Sequence, residues 1–285
     1  MHKNFLALNN VRAVIGESLR WNKHNNCLYW IDTQQPLLFC YNDKTKKSLS
    51  YKLPAPMSCI DIDPNGDVRG IMSNALVKFG FVNAKAEVDL IKTNLIDDDA
   101  VAFNDGLLDA KGNFWVGIMD KTGQNPKGKL LRISLLGEIS IFDEGFITSN
   151  GMGWSPDKTK FYFTDSMTRT VYQYSFDKKT CQIAQREIFI QFSEEQGYPD
   201  GVHVDSKGNI WIAGWASFHV YQYAPQGELM GGVKLPAKNI TSCCFGGNDL
   251  KTLFVTSANF DLSDINDVGE GAGSVFRSNA EEAIF

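Results

Sequence analysis

A short motif recurs six times along this chain of 285 residues, and every copy begins with a side chain that carries oxygen. Successive copies are 41 to 50 positions apart, a spacing that is typical of propeller blades and of a few other repeat arrays. If such an array closes into a ring, the six first residues lie around one axis. These leading residues are Glu17, Ser58, Asn104, Asn150, Asp200 and Thr241.

The residues that follow each leading position repeat a hairpin pattern. A turn rich in Asp, Asn and Gly separates two β-forming runs, as where Asp205-Ser-Lys-Gly precedes Ile210-Trp-Ile-Ala. Several of the second runs are apolar on both faces, so their strands should be covered on both sides, as a blade is by its neighbours. Most copies add a third strand with an alternating pattern. The sequence therefore predicts an all-β fold, a six-bladed β-propeller of four-stranded antiparallel blades.

The same repeat sets our expectation for the domain organisation. No linker or change of composition divides the chain, so we expect residues 1–285 to form a single propeller domain. A propeller ring closes when one end of the chain adds a strand to the blade at the other end. We expect the run Phe5-Leu-Ala-Leu to be an N-terminal strand that joins the last blade. We expect the acidic, Gly-rich segment 259–273 to be a long loop within the sixth repeat.

The charge balance argues against several classes of partner. With 28 basic and 33 acidic residues the net charge is −5, and no basic stripe is available to neutralise phosphates, so we expect no nucleic-acid partner. No apolar run is long enough for a membrane span, and the first ten residues are too polar for a secretory signal. We therefore expect a cytoplasmic protein without a membrane partner, whose oligomeric state the sequence leaves open.

Common catalytic signatures are absent from the sequence. It has no G-x-S-x-G elbow, no H-E-x-x-H motif and no phosphate-binding Gly-rich loop. The six cysteines lack C-x-x-C spacing and are expected to be small buried hydrophobes. The four histidines lack metal-ligand spacing, and we expect His203 and His219 to be ordinary packed or hydrogen-bonded residues. The ring of leading residues remains as the candidate site.

Two carboxylates, two carboxamides and two hydroxyls on one axis would offer hard oxygen ligands. Such a set suits Ca²⁺, Mg²⁺ or Mn²⁺ better than a soft metal. A divalent cation would also relieve the repulsion between the two carboxylates. The alternative for any single position is local, because Asn, Asp, Ser and Thr often begin strands or turns and bond nearby backbone.

Several of these motifs also resemble those of the senescence marker protein/gluconolactonase/regucalcin family, in the order found there and over nearly the whole chain. The motifs that carry the resemblance are Gly16-Glu17-Ser18, Asn104-Asp105-Gly106 with Gly112-Asn113-Phe114-Trp115, Ser149-Asn150-Gly151-Met152-Gly153-Trp154-Ser155, Tyr198-Pro199-Asp200-Gly201 and Thr241-Ser242-Cys243-Cys244-Phe245-Gly246-Gly247.

The resemblance implies a propeller with one divalent metal in its channel that hydrolyses lactones. The implied metal ligands are Glu17, Asn150 and Asp200. Asp200 would also be the catalytic proton acceptor and donor, and Asn104 would contact substrate. Ca²⁺ is the metal we expect first, with Zn²⁺, Mg²⁺ and Mn²⁺ as alternatives.

Two positions depart from the family pattern. Ala102 stands where sugar-lactonase members usually have an Arg, which would donate several fixed hydrogen bonds to a polyhydroxylated ligand. Asp120 lies near the place where the family usually has a Glu, so we take Asp120 as a second substrate contact. The resemblance therefore implies an intact metal site with an altered sugar-recognition shell.

We therefore expect a metal-dependent hydrolase of a lactone or related cyclic ester, in which the metal polarises the carbonyl and Asp200 acts as general base. Activation of the water by the metal itself is an alternative to the base role of Asp200. Two other functions stay open: a non-catalytic calcium-binding or ligand-binding propeller of the regucalcin type, and a protein-interaction scaffold.

Overall fold

The computed structural model describes residues 5–8, 12–82, 85–260 and 268–278, and in these ranges the chain forms 24 strands and no helix. The strands build six four-stranded antiparallel sheets. This arrangement confirms the predicted six-bladed β-propeller. Because the described ranges contain no helix, they contain none that could cross a membrane.

The first five blades each use four consecutive strands, which run from the axis of the ring outward. Their bounds are β2 (Gly16–Asn22), β3 (Cys27–Asp32), β4 (Leu37–Asn42) and β5 (Lys47–Lys52) in blade one; β6 (Met57–Ile62), β7 (Val68–Met72), β8 (Ala75–Val82) and β9 (Lys85–Thr93) in blade two; β10 (Val101–Leu108), β11 (Phe114–Asp120), β12 (Gly128–Ile133) and β13 (Ile139–Phe146) in blade three; β14 (Ser149–Trp154), β15 (Lys160–Asp165), β16 (Thr170–Asp177) and β17 (Gln182–Gln191) in blade four; and β18 (Tyr198–Val204), β19 (Ile210–Trp215), β20 (His219–Tyr223) and β21 (Leu229–Lys234) in blade five.

The sixth blade combines both ends of the chain. It contains β22 (Asn239–Gly246), β23 (Thr252–Ala258), β24 (Val275–Ser278) and, as its outermost strand, β1 (Phe5–Ala7). Phe5 is paired with Ser278 and Ala7 with Phe276. The expected loop at 259–273 connects β23 to β24, and its residues 261–267 lie outside the described residues.

Apolar side chains fill the space between neighbouring blades. Each of the six core clusters combines residues from two adjacent blades, and one of them joins the sixth blade to the first. The second strands supply Trp30, Trp115 and Trp211, which are at most 2% exposed. This explains why those strands are apolar on both faces, because each face is covered by another blade.

The innermost strands share a β-bulge at the leading position of the repeat. The pairing register shifts at the leading residue, or directly after it, in all six innermost strands. A bulge places two residues opposite one and turns their side chains away from the regular alternation. The same local distortion in every blade therefore aims polar side chains at the axis.

Neighbouring innermost strands approach one another closely and run in the same direction. A Cβ atom at Gly151 would collide with the backbone oxygen of Asp200, and one at Gly201 would lie 2.7 Å from the carbonyl oxygen of Thr241. Further along, Gly153 faces the side chains of Val202 and Val204. The leading residues consequently lie near one end of the channel, and the last residues of the innermost strands lie near the other.

Candidate active site

Glu17, Asn150 and Asp200 come together at the axis from blades one, four and five. Burial raises the pKa of Glu17 well above its usual range, and the charges of Asp200 and Asp105 raise it further. Burial also raises the pKa of Asp200 well above its usual range; Asp105 adds to this effect and a hydrogen bond from Asn150 opposes it. The structure thus holds two mutually repelling carboxylates beside one carboxamide.

The orientation of Asn150 is set by Ser166, at the end of β15. The Asn150 amide nitrogen donates to Ser166 Oγ at 3.1 Å, and that hydroxyl donates to the carbonyl oxygen of Pro199 at 2.7 Å. Because Ser166 holds the amide nitrogen, the Asn150 carbonyl oxygen is the atom left for another partner, and it is the atom that a hard cation would use.

The donor set fits a divalent cation. Asp200 is 5% exposed, and its Oδ1 atom is buried without a hydrogen-bond partner, which ordinarily costs stability. A cation bound there would satisfy that oxygen and remove the repulsion with Glu17. In the described ranges no three His, Cys, Asp or Glu side chains form a metal-holding group, so the site would need the Asn150 amide as its third ligand.

The other leading residues have different surroundings. Thr241 bonds the carbonyl oxygen of Gly16 through its hydroxyl, so it fastens the sixth blade to the first. Asn104 donates to the carbonyl oxygen of Ser149 at 2.8 Å. Asn104 and Ser58 also line a cavity of about 850 Å³ between blades two and three.

This cavity has the size of a small-molecule site and a mixed lining. Ala102, Phe103 and Met119 line it, together with Lys121 and the acidic residues at 97–99. Ala102 leaves no side-chain donor at its position. Lys121 places a flexible ammonium donor on the same wall.

Asp120 is held by its own turn. Its Oδ2 atom accepts bonds from the Thr122 hydroxyl and from the backbone nitrogens of Gln124 at 3.1 Å and Asn125 at 3.0 Å. These bonds, that from Thr122 foremost, lower the pKa of Asp120. Its two chain neighbours line the Asn104 cavity, whereas Asp120 does not. Its contact with substrate stays a prediction.

A charged layer that the sequence reasoning missed lies directly below the carboxylates. Ser18 Oγ donates to Asp105 at 3.2 Å and accepts the backbone N–H of Ile60 at 3.2 Å. The Arg20 guanidinium lies 3.3 Å from Asp61 and 3.5 Å from Asp105. Arg20 and Asp61 each stand three residues after a leading residue, so charged residues at this position of the repeat could have predicted the layer from the sequence.

Ser18 also has an unusual backbone. Its φ is 52°, a left-handed conformation that residues other than glycine seldom adopt. In this conformation its N–H donates to the Glu17 carboxylate at 3.0 Å. Such local strain is common where a structure positions functional groups.

Comparison with known proteins agrees with this geometry. The family model described as SMP-30/Gluconolactonase/LRE-like region matches residues 15–259. The chain belongs to this family. The match confirms the resemblance seen in the motifs.

Relatives within the family include enzymes and calcium-binding proteins by name. Pentonolactonase XacC of Haloferax volcanii is 33% identical over 273 residues, which cover 92% of this chain and 90% of that protein. Regucalcin of Sus scrofa is 29% identical over 251 residues, covering 85% and 83%. The crystal structure of regucalcin from Agrobacterium tumefaciens, titled a calcium-binding protein, has a TM-score of 0.87 and covers 96% of this chain and 92% of that one; at 23% identity it supports the fold alone.

The raised pKa values predict how Asp200→Asn changes stability. In the folded state the ionised forms of Glu17 and Asp200 are disfavoured, so without metal they reduce stability increasingly as the pH rises above the ordinary carboxyl range. In chelator at pH 7.5, Asp200→Asn should therefore have a higher Tm than wild type. In excess Ca²⁺ the order should reverse, because wild type gains more from ligand binding.

Asp120→Asn is the control for this experiment. Since hydrogen bonding lowers the pKa of Asp120, its ionised form contributes stability at neutral pH, and the change should reduce Tm with or without Ca²⁺. A lower Tm for Asp200→Asn than for wild type in chelator would contradict the repulsion between Glu17 and Asp200.

Proposed function

We propose that this protein is a divalent-metal-dependent hydrolase that opens a lactone or a related cyclic ester. The observation that carries the proposal is the convergence of Glu17, Asn150 and Asp200 on one point, where a buried carboxylate oxygen of Asp200 has no partner among the described residues. The cavity beside Asn104, which Glu17, Asn150 and Asp200 do not line, would hold the part of the substrate that extends from the metal. The pentonolactonase relative supports a lactone as the substrate class.

Glu17, Asn150 and Asp200 would hold the metal through carboxylate and amide oxygens. Ca²⁺ is the first candidate because all three donors are hard oxygen atoms, with Mg²⁺, Mn²⁺ and Zn²⁺ as alternatives. A divalent cation supplies a Lewis acid for the lactone carbonyl. Ser166 would keep the Asn150 carbonyl oxygen directed to the metal by holding its amide nitrogen.

Asp200 is the proposed general base. The carboxylate oxygen of Asp200 that does not bind the metal would accept a proton from the attacking water and return it to the ring oxygen that leaves the acyl carbon. Burial raises the pKa of Asp200 in the metal-free protein, whereas a bound cation would lower it, so the metal would keep Asp200 ionised and able to accept a proton. Asn104, with one amide hydrogen held by Ser149, would present its second hydrogen and its carbonyl oxygen to the substrate.

The regucalcin relatives favour one alternative, a calcium-binding protein without catalysis. The two functions share the metal site and differ in turnover. A screen of five- and six-membered lactones, with and without chelator, separates them. Hydrolysis that disappears in chelator and returns with metal supports the enzyme, whereas tight Ca²⁺ binding without hydrolysis supports the alternative.

Asp200→Asn should lower kcat by about two to four orders of magnitude, which is the usual contribution of a general base. Much of the metal should remain, because an amide oxygen can replace the carboxylate oxygen as a ligand. Asp200→Ala should lose the metal as well. The measurements are steady-state kinetics and elemental analysis on the same preparations.

Asp249→Asn is a matched change of charge in the turn after β22, far along the chain from the ligands, and should leave both quantities unchanged. Wild-type turnover in a metal-loaded Asp200→Asn protein would assign proton transfer to another group. Equal metal content in wild type and Asp200→Ala would remove Asp200 from the metal site.

Because the Ala102 side chain cannot donate hydrogen bonds, we predict that the site selects only weakly for hydroxylated substrates. A site that lacks a donor loses the selectivity that hydrogen bonds to substrate provide. The wild-type kcat/KM for an unsubstituted lactone should therefore equal or exceed that for gluconolactone of the same ring size. Ala102→Arg should shift this ratio towards gluconolactone by about tenfold or more, the scale of one charged hydrogen bond.

Ala110→Arg, in the turn after β10, serves as the control for added charge. A wild-type preference for gluconolactone by orders of magnitude, unchanged in Ala102→Arg, would show that recognition of the hydroxyls rests on other residues such as Lys121 or Asp120.

A further inference from the structure

A second cavity lies at the other end of the channel, beneath the charged layer. Its volume is about 630 Å³, which is within the usual range of small-molecule sites. It opens among the turns that connect the first and second strands of several blades. The Asn104 cavity lies at the opposite end and shares none of its lining residues.

A second set of equivalent repeat positions lines the cavity, and we call its six residues the second ring. Three positions after every leading residue, the side chain or backbone faces this cavity. The bulge at the leading position explains the interval, because one extra residue shifts the regular two-residue alternation to three. The second ring consists of Arg20, Asp61, Leu107, Gly153, His203 and Cys244.

The walls of this cavity are largely aromatic and aliphatic. Trp21, Trp154 and Phe245 line it, and His203 packs against the Phe245 ring with centroids 5.7 Å apart. Gly153 leaves room where any other residue would place a side chain. A ligand with a flat apolar body would find matching surfaces here.

The three acidic groups in the lining, Asp61, Asp63 and Asp109, all accept hydrogen bonds from the protein. Asp61 accepts backbone N–H groups of Ile62 and Leu108 and pairs with Arg20. Both oxygens of Asp109 accept bonds within the turn after β10 or from the side chains that follow it. Asp63 accepts two backbone N–H groups of its own turn at one oxygen, so each of the three carboxylates already has hydrogen-bond donors.

The nitrogen groups in the lining differ from the carboxylates. In the part of the chain that the structure describes, the Lys158 ammonium has no ion pair or hydrogen bond, and neither have the ring nitrogens of His203. Lys158 is exposed at the rim of the cavity, where partial desolvation lowers the pKa of its ammonium and Asp61 opposes this shift. Burial and the Arg20 charge lower the pKa of His203 to about 4, so its imidazole is neutral and can donate one N–H.

We propose that this cavity binds an organic monoanion with a flat apolar body, such as an aryl carboxylate, through Lys158 and His203. The Trp and Phe side chains would cover the apolar body of the ligand. The Lys158 ammonium would pair with the carboxylate of the ligand at the mouth of the cavity. Arg20 and its partners separate this site from the Asp200 carboxylate. The proposal does not depend on the lactonase function.

The test is a ¹⁹F NMR titration of the metal-loaded protein with 4-fluorophenylacetate at pH 7. We expect saturable binding at one site. Lys158→Met should weaken it by about tenfold, the scale of one charged hydrogen bond. The neutral 4-fluorophenylacetamide should bind wild type about tenfold more weakly than the carboxylate, because the Lys158 ammonium then has no anionic partner.

Lys160→Met is the matched control. It removes the same charge two residues further along the chain, and Lys160 does not line the cavity. It should change the affinity less than twofold. Asp200→Ala should bind the carboxylate as wild type does; loss of binding there would place the compound at the metal site and overturn the proposal. Absence of saturable binding, an unchanged affinity in Lys158→Met, or equal affinity for the amide would overturn it as well.

Discussion

The close approach of six innermost strands around one axis is the constraint on which the rest of this structure depends. Gly151 and Gly201 permit the approach, since a Cβ atom at either position would meet the backbone of the next strand. The bulge in each strand then turns polar side chains into the space that remains. Two carboxylates are thereby buried together, and their repulsion creates the demand for a cation.

Arg20 divides the channel into two chemical environments. Above it, burial and neighbouring carboxylates raise the pKa of Glu17 and Asp200, and the Arg20 charge opposes this shift only at Glu17. Below it, both oxygens of Asp61 and of Asp109 have partners, whereas the Lys158 ammonium is without a partner among the described residues. One repeat with two inward positions thus creates two environments, one suited to the proposed cation and the other to the proposed anion.

The architecture could be predicted from the sequence because it rests on local, repeated features. The period of the motif and the doubly apolar second strands predicted six blades, and all six sheets are present. The leading positions also identified the side chains that converge on the axis. Family membership could be read from the same motifs and is confirmed by the match over residues 15–259.

The individual roles within the ring could not be predicted from the repeat alone. Thr241 and Asp200 hold equivalent positions, yet Thr241 bonds Gly16 across the ring closure, a contact that depends on residues far apart in sequence. The link from Ser18 to Asp105 likewise joins blades one and three. Such contacts follow from the closed ring, so they become visible only when the blades are placed.

The most direct test of this account is anomalous diffraction from crystals soaked in Mn²⁺. We predict one strong anomalous peak on the channel axis, with carboxylate or amide oxygens of Glu17, Asn150 and Asp200 at about 2.0–2.6 Å, the range of metal–oxygen bonds for hard cations. A well-ordered channel with no peak, or a peak that none of these three residues contacts, would contradict the claim that the converging strands build a metal site.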